Sequence, residues 1–244
     1  MGGGGGPAVI TVLVPPGVAA GGREQLEESE QHHVRVRRAQ PGELVGLRDG
    51  AGLVGTGRLV AAAGGWLVEV DTIERRPRPP ELTLAVGAGD RERFAWLVEK
   101  AVELGVTRLV PLETGRTAGV ASRLREQHLP RLRRHALEAV KQCGAAWTTD
   151  VSAPLDLADL AERPPSGARW LADAEGGAPP AMLDGAPVTV VIGPEGGLSD
   201  QERATLAAAG FRPVALAAHT LRFETAALAA AAMVSTARLR GMHG

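Results

Sequence analysis

The chain has 244 residues, enough for one large domain or two modest ones, and 44% of them are apolar, which supports a real core. A net charge of −1 excludes nucleic-acid binding through overall charge, so any such role needs a local basic patch. The single cysteine, Cys143, excludes a disulfide framework and a cysteine-based zinc site, and the absence of tyrosine leaves few rings to stack on bases.

The opening MGGGGGP, residues 1–7, lacks the positive region of a secretory signal and reads as a flexible lead-in. The alanine-rich run near Ala226–Val234 falls far short of the roughly 20 residues that span a bilayer. A cytoplasmic protein without a membrane partner is expected.

Residues 8–75 carry short apolar stretches divided by Gly and Pro: AVITVLV, HVRVRRA, ELVGLRD, GRLVAA and GWLVEVDTIE. This spacing predicts a small all-β barrel or sandwich. Within it, His32-His33-Val34-Arg35-Val36-Arg37-Arg38 reads as an alternating strand. Val34 and Val36 then share the buried face, and Arg35 and Arg37 the other. That second face is either simply solvated or, with Arg38, an array of guanidinium groups for RNA phosphates. No further ligand sits near the histidine pair at metal spacing, so no metal site is expected. Arg75-Arg76-Pro77-Arg78-Pro79-Pro80 is a charged, proline-rich break. It separates a first domain, residues 1–76, from a second, residues 77–244.

Beyond the break, strands alternate with helices. LTLAV (82–86) is followed by a helix with Phe94, Leu97, Val98, Ala101 and Leu104 on one face, closed by Gly105. RLVPL (108–112) precedes a long basic helix that ends near Gln142. Its charges spread around the axis, as on a solvated face, and Cys143 beyond it reads as a small buried residue. RWLA (169–172), VTVVI (188–192) and VALA (214–217) are further strands, and a last helix runs from about Glu224 to Arg240. The alternation predicts an α/β fold, a parallel sheet with helices on both faces.

Two loops of this half carry the candidate chemistry. Val188–Ile192 is a β-branched run that stops at Gly193-Pro194-Glu195-Gly196-Gly197. Ser199-Asp200-Gln201-Glu202 then forms S-x-x-E, a capping box that opens a helix. Ligands of open α/β sheets bind at such strand-to-helix loops. Glycines there let backbone groups press directly on a ligand, although a tight turn with no ligand has the same pattern. The loop is neither G-x-G-x-x-G nor a P-loop. In LAAHTLRFETAALAA (216–230), a strand end leads through Arg222-Phe223-Glu224-Thr225 into the last helix. Arg222 and Glu224 are either a capping ion pair or, for Arg222, a grip on an electron-rich substrate group.

These residues resemble a known family. IGPEGGLSDQE, followed by L-x-x-x-x-LRFETAA, is similar to the signature pair of RsmE-type methyltransferases of the SPOUT superfamily. That family methylates N3 of a uridine in 16S ribosomal RNA of the small subunit. FAWLVEKAVELGVTRLVPLET (94–114) resembles a third block, and HHVRVRRAQPGELVGLRDGAG (32–52) the family's PUA-like RNA-binding barrel. The resemblance implies a SPOUT-type parallel sheet whose C-terminal part threads a trefoil knot. It implies S-adenosylmethionine as cofactor, held at Leu171, at Ile192, Gly193, Pro194, Glu195, Gly196 and Gly197, and at Leu216, Ala217, Thr220 and Leu221. It also implies a homodimer with the last helix at the interface. Arg222 is then the group that stabilises charge on the uracil, Glu224 either takes the proton or orients Arg222, and Glu195 is a second candidate base. Arg35, Arg37 and Arg38 are the expected RNA contacts. The chain departs from the family at Ala88, Ala145, Ala217 and His219, each of which loses or alters a residue of a family motif. Two other readings remain: a non-catalytic ribosome-assembly factor, and a SPOUT enzyme of transfer RNA. A small-anion enzyme is disfavoured by Glu195, which would repel an anion at the helix N-terminus.

Overall fold

A computed structural model describes residues 10–87, 89–117 and 119–243. The glycine-rich lead and Ala88 lie outside the described residues. The chain divides into two compact units. The first holds the residues up to Arg78 together with Val140–Thr148; the second holds Pro79–Ala139 and the chain from Thr149 on.

The first unit contains β1 (Thr11–Leu13), β2 (Arg23–Gln25), α1 (Glu28–Val36), β3 (Leu44–Arg48), β4 (Leu53–Ala62) and β5 (Gly65–Arg75). Its sheet has the order β1-β3-β4-β5-β2, with β1 parallel to β3 and every other pair antiparallel. β4 buries Leu53, Gly55, Gly57 and Leu59 in strict alternation, as a strand with one covered face must. Val12, Leu26, Val34, Leu47, Leu59 and Val68 belong to its core.

The all-β expectation is corrected here. The stretch read as a Val/Arg strand is the second half of α1 and its exit. Val34 is buried but Val36 is 64% exposed, because residues two apart on a helix do not share a face. The inward partner of Val34 is Glu30, one turn earlier. Lys141 Nζ donates to Glu30 Oε1 at 2.8 Å, and Leu13 N–H donates to Glu30 Oε2 at 3.2 Å. A charge at a core position hides the helical period, so the short V-R-V-R alternation dominated the pattern. A second signal was present: Glu28 and Glu30 open α1 and His33 and Arg35 close it, the arrangement that a helix dipole favours. α1 ends with Arg38 in the left-handed region at φ 55°. Ala39 N–H bonds Val34 O and Arg38 N–H bonds Arg35 O, a Schellman close more often made by glycine.

The second unit contains β6 (Leu82–Val86), α2 (Arg91–Glu103), β7 (Arg108–Glu113), α3 (Leu129–Cys143, its last turn counted with the first unit), β8 (Asp150–Val151), β9 (Leu155–Asp156), α4 (Leu157–Glu162), β10 (Ala168–Gly177), β11 (Val188–Ile192), α5 (Asp200–Ala208), β12 (Arg212–Val214) and α6 (Phe223–His243). The strand order is β12-β10-β11-β6-β7-β8, parallel at every pairing. β6 and β11 lie at the centre and are buried along all five residues, which is why each reads as an unbroken apolar run. Ala85 and Val191 pack with Leu157, Leu160 and Leu206 of α4 and α5. α6 packs on β6 and β11 and against α2. The strand expected over 214–217 is shorter: β12 stops at Val214, which leaves Leu216 and Ala217 in a loop.

Candidate active site

Because β6, β10, β11 and β12 are parallel, their carboxyl ends lie on one side of the sheet. Leu171–Glu175 of β10, the loops after β11 and β12, and the first turns of α5 and α6 line a cavity of about 530 Å³. Of the expected cofactor residues, Leu171, Ile192, Gly193, Pro194, Glu195, Gly197, Leu216, Ala217, Thr220 and Leu221 line it. Gly196 is not among the lining residues; its carbonyl instead accepts a hydrogen bond from Arg116 Nη1.

The shape of the glycine loop has local causes. Ser199 and Glu202 form the expected capping box at the start of α5: Ser199 N–H donates to Glu202 Oε2 at 2.7 Å, and Glu202 N–H to Ser199 Oγ at 3.2 Å. Gly197 turns the loop at φ 72°, with its N–H bonded to Pro194 O at 2.8 Å. On the β6 side, a Cβ on Gly87 would lie 2.7 Å from Pro194 Cδ and 2.9 Å from Pro194 N. Only glycine fits against the loop at that point. The β7–α3 loop clasps the other side, where Gly115 N–H donates to Glu202 Oε1 at 2.9 Å. Burial by itself pushes the Glu202 carboxyl up. The hydrogen bonds from Ser199 and Gly115, with Arg116 nearby, outweigh this and hold it below the usual carboxylate range.

The cavity has an apolar floor, which includes Leu171, Ile192, Leu198, Leu216 and Phe223, and an acidic side with Asp173, Glu175, Glu195 and Asp200. Arg203 of α5 also lines it and is paired with Asp173. Asp173, Glu175 and Arg203 were missed by sequence reasoning. The first two were discoverable as acidic residues just past RWLA, whereas Arg203 reaches the cavity only because α5 packs beside it. His219 lines the cavity and is exposed.

Arg222 and Glu224 stand at the entry to α6. Neither is among the lining residues, although Leu221 and Phe223 beside them are. Arg222 is exposed. Glu224 is 9% exposed, and its Oε1 lies 3.7 Å from Arg93 Nη1, so its ion pair is with α2 rather than with Arg222. Its Oε2 is buried with no hydrogen-bond partner among the described residues. Arg35, Arg37 and Arg38 are all exposed at the end of α1. Among the described residues no group of three or more His, Cys, Asp or Glu is placed to hold a metal. No described helix is long and apolar enough to cross a membrane.

The family model described as an RNA methyltransferase domain matches residues 76–235. The chain belongs to this RNA methyltransferase family. It is 31% identical to ribosomal RNA small subunit methyltransferase E of Synechocystis over 86% of this chain and 72% of that one. The protein of the same name from Aquifex aeolicus is also 31% identical, over 82% of this chain and 89% of its own length. Among solved structures, ribosomal RNA small subunit methyltransferase E of Neisseria gonorrhoeae bound to S-adenosyl methionine superposes with a TM-score of 0.82 at 26% identity. That match covers 92% of this chain and 95% of the other. The matched span of this RNA methyltransferase contains the cavity-lining residues.

Proposed function

We propose that this RNA methyltransferase transfers a methyl group from S-adenosylmethionine to N3 of a uridine in 16S ribosomal RNA. The observation that carries the reading is the cavity at the carboxyl ends of β10, β11 and β12, which is lined by the GPEGG loop in a chain of this family. The cavity suits the cofactor. Its volume is in the range of small-molecule sites, roughly 300–1,000 Å³. Its floor accepts an apolar body, its glycines expose backbone groups, and its carboxylates suit a ligand with a cationic sulfonium and ammonium. When bound there, the cofactor supplies an electrophilic methyl on sulfur.

The protein's own part is positioning and charge. N3 of uracil lies on the pairing edge and carries a proton, so the base must be unpaired or swung out. Arg222, exposed beside the cavity-lining Leu221 and Phe223, is assigned to the uracil oxygens as negative charge develops on them. Glu224 is assigned the N3 proton, because a buried carboxylate oxygen with no internal donor has capacity to accept one.

The finer architecture belongs to the same proposal. The first unit acts as a PUA-like RNA-binding domain, with Arg35, Arg37 and Arg38 as phosphate contacts. The second is a SPOUT domain with a C-terminal trefoil knot. The support for a knot is that β12 lies at the outer edge of the sheet, yet the following α6 packs back on central β6 and β11. The protein works in the cytoplasm as a homodimer through α6, whose outward side carries Ala232 and Thr236 with exposed Leu239 nearby.

The test is transfer of labelled methyl from S-adenosylmethionine to unmodified small ribosomal subunits, with the product nucleoside identified by mass spectrometry. 3-Methyluridine is expected. A different methylated nucleoside would assign another target atom, and cofactor binding without transfer would point to a non-catalytic assembly factor.

A further inference from the structure

The charged lining of the cavity is acidic: Asp173, Glu175, Glu195 and Asp200 line it, Glu195 reaching toward Gly89, and Arg203 is committed to Asp173. This lining repels phosphate. The segment between β7 and α3 has the opposite balance: it contains Arg116, Arg123 and Arg125 against one acid, Glu126.

Hydrogen bonds tie this segment to the loops of the site. Arg91 N–H donates to Ser122 O at 3.2 Å, Ser122 Oγ donates to Gly89 O at 2.6 Å, and Arg116 Nη1 donates to Gly196 O. Arg91, Arg116 and Arg125 are exposed. Asp90, the one acid in the short loop before α2, is occupied as the helix cap by the N–H groups of Glu92 and Arg93.

We propose that Arg91, Arg116 and Arg125 form a docking face for the sugar-phosphate backbone of the RNA strand that carries the target base. The inference rests on the RNA methyltransferase reading and extends it: the catalytic unit holds the RNA itself, in addition to any contacts made by the first unit. A nucleotide that is unpaired or swung out needs its flanking phosphates fixed while the base reacts. Guanidinium groups do this with paired, charge-assisted hydrogen bonds. The acidic lining sets the direction, because phosphates settle on the exposed arginines outside the cavity and leave the cavity itself clear. Arg116 adds a link between the two sites. One of its donors holds the Gly196 carbonyl, and the guanidinium has further N–H groups for a phosphate.

The experiment uses the full chain with the double charge reversal Arg91→Glu and Arg125→Glu, which leaves the cavity lining intact. Affinity for S-adenosylmethionine is measured by calorimetry, and affinity for 16S RNA by titration over a range of salt. The cofactor Kd is expected to stay within twofold of the parent. RNA affinity is expected to fall by more than about tenfold, and the log–log salt slope by roughly 1.4–1.8, for two lost phosphate contacts. The Arg91→Lys and Arg125→Lys variant is expected to restore the salt slope, because the charges return, but only part of the affinity, because an ammonium makes no paired contact. An unchanged RNA affinity and slope would overturn the proposal, as would a parallel loss of cofactor binding. Failure of the parent to methylate small subunits would instead strike the enzymatic reading, and the RNA titration would still decide the docking face.

Discussion

Glu30 and Glu224 are both buried acids in the first turn of a helix, α1 in one unit and α6 in the other. Their surroundings differ. Both oxygens of Glu30 are used, one by Lys141 and one by the Leu13 N–H. Glu224 has an arginine 3.7 Å from one oxygen and no hydrogen-bond donor on the other. A buried carboxylate with both oxygens satisfied fastens the fold. One left half-satisfied carries a desolvation cost that the fold does not recover, and such groups are concentrated where chemistry is done.

The comparison can be broken by substitution. Glu30→Ala leaves Lys141 buried without this partner and is expected to destabilise the protein by about 3–5 kcal/mol. Chemical denaturation of the full chain reads this directly, and a loss under 1 kcal/mol would remove Glu30 from its fastening role. Glu224→Gln should do the reverse. Stability is expected to stay within about 0.5 kcal/mol, while turnover falls by at least about 100-fold at an unchanged cofactor Kd. Equal losses of stability and turnover would make Glu224 a second structural acid.

Two further variants sharpen the contrast by separating loop shape from acid chemistry. Gly87→Ala touches no carboxylate but drives a methyl group into Pro194. We expect a cost of about 1–3 kcal/mol and a weakened cofactor Kd, read by calorimetry. Glu202→Gln is expected to have the smallest effect, about 1 kcal/mol from the damaged cap. Its pH dependence is diagnostic. The folded Glu202 pKa is depressed, so its contribution is present above the unfolded value of about 4.3 and is lost as pH falls through the folded value. Parent and variant melting temperatures should therefore differ at neutral pH and converge in acid; a difference that persists there would rule out the charged form as the source.

Much of the cavity was readable along the chain because its signals are local. The capping box needs only Ser199 and Glu202, and the loop needs glycines just after a buried run. Both occur within about ten residues, and ten of the expected cofactor residues line one cavity. Arg35, Arg37 and Arg38 illustrate the opposite case. Their conformation depends on Lys141, 111 residues from Glu30, which turns an acid into a core residue and lets a helix form where four alternating residues suggested a strand.

The sequence alone determined where strands and helices alternate in the second half of the chain, and which loop follows the most buried strand. These follow from runs of apolar and glycine residues that act on their immediate neighbours. Tertiary structure alone decided that Gly196 turns to Arg116, that Arg203 meets Asp173 at the cavity, that Glu224 faces Arg93, and that Glu30 is buried. Each of these joins residues at least 30 positions apart. Such pairings are set by strand order and helix packing, and no local pattern encodes them.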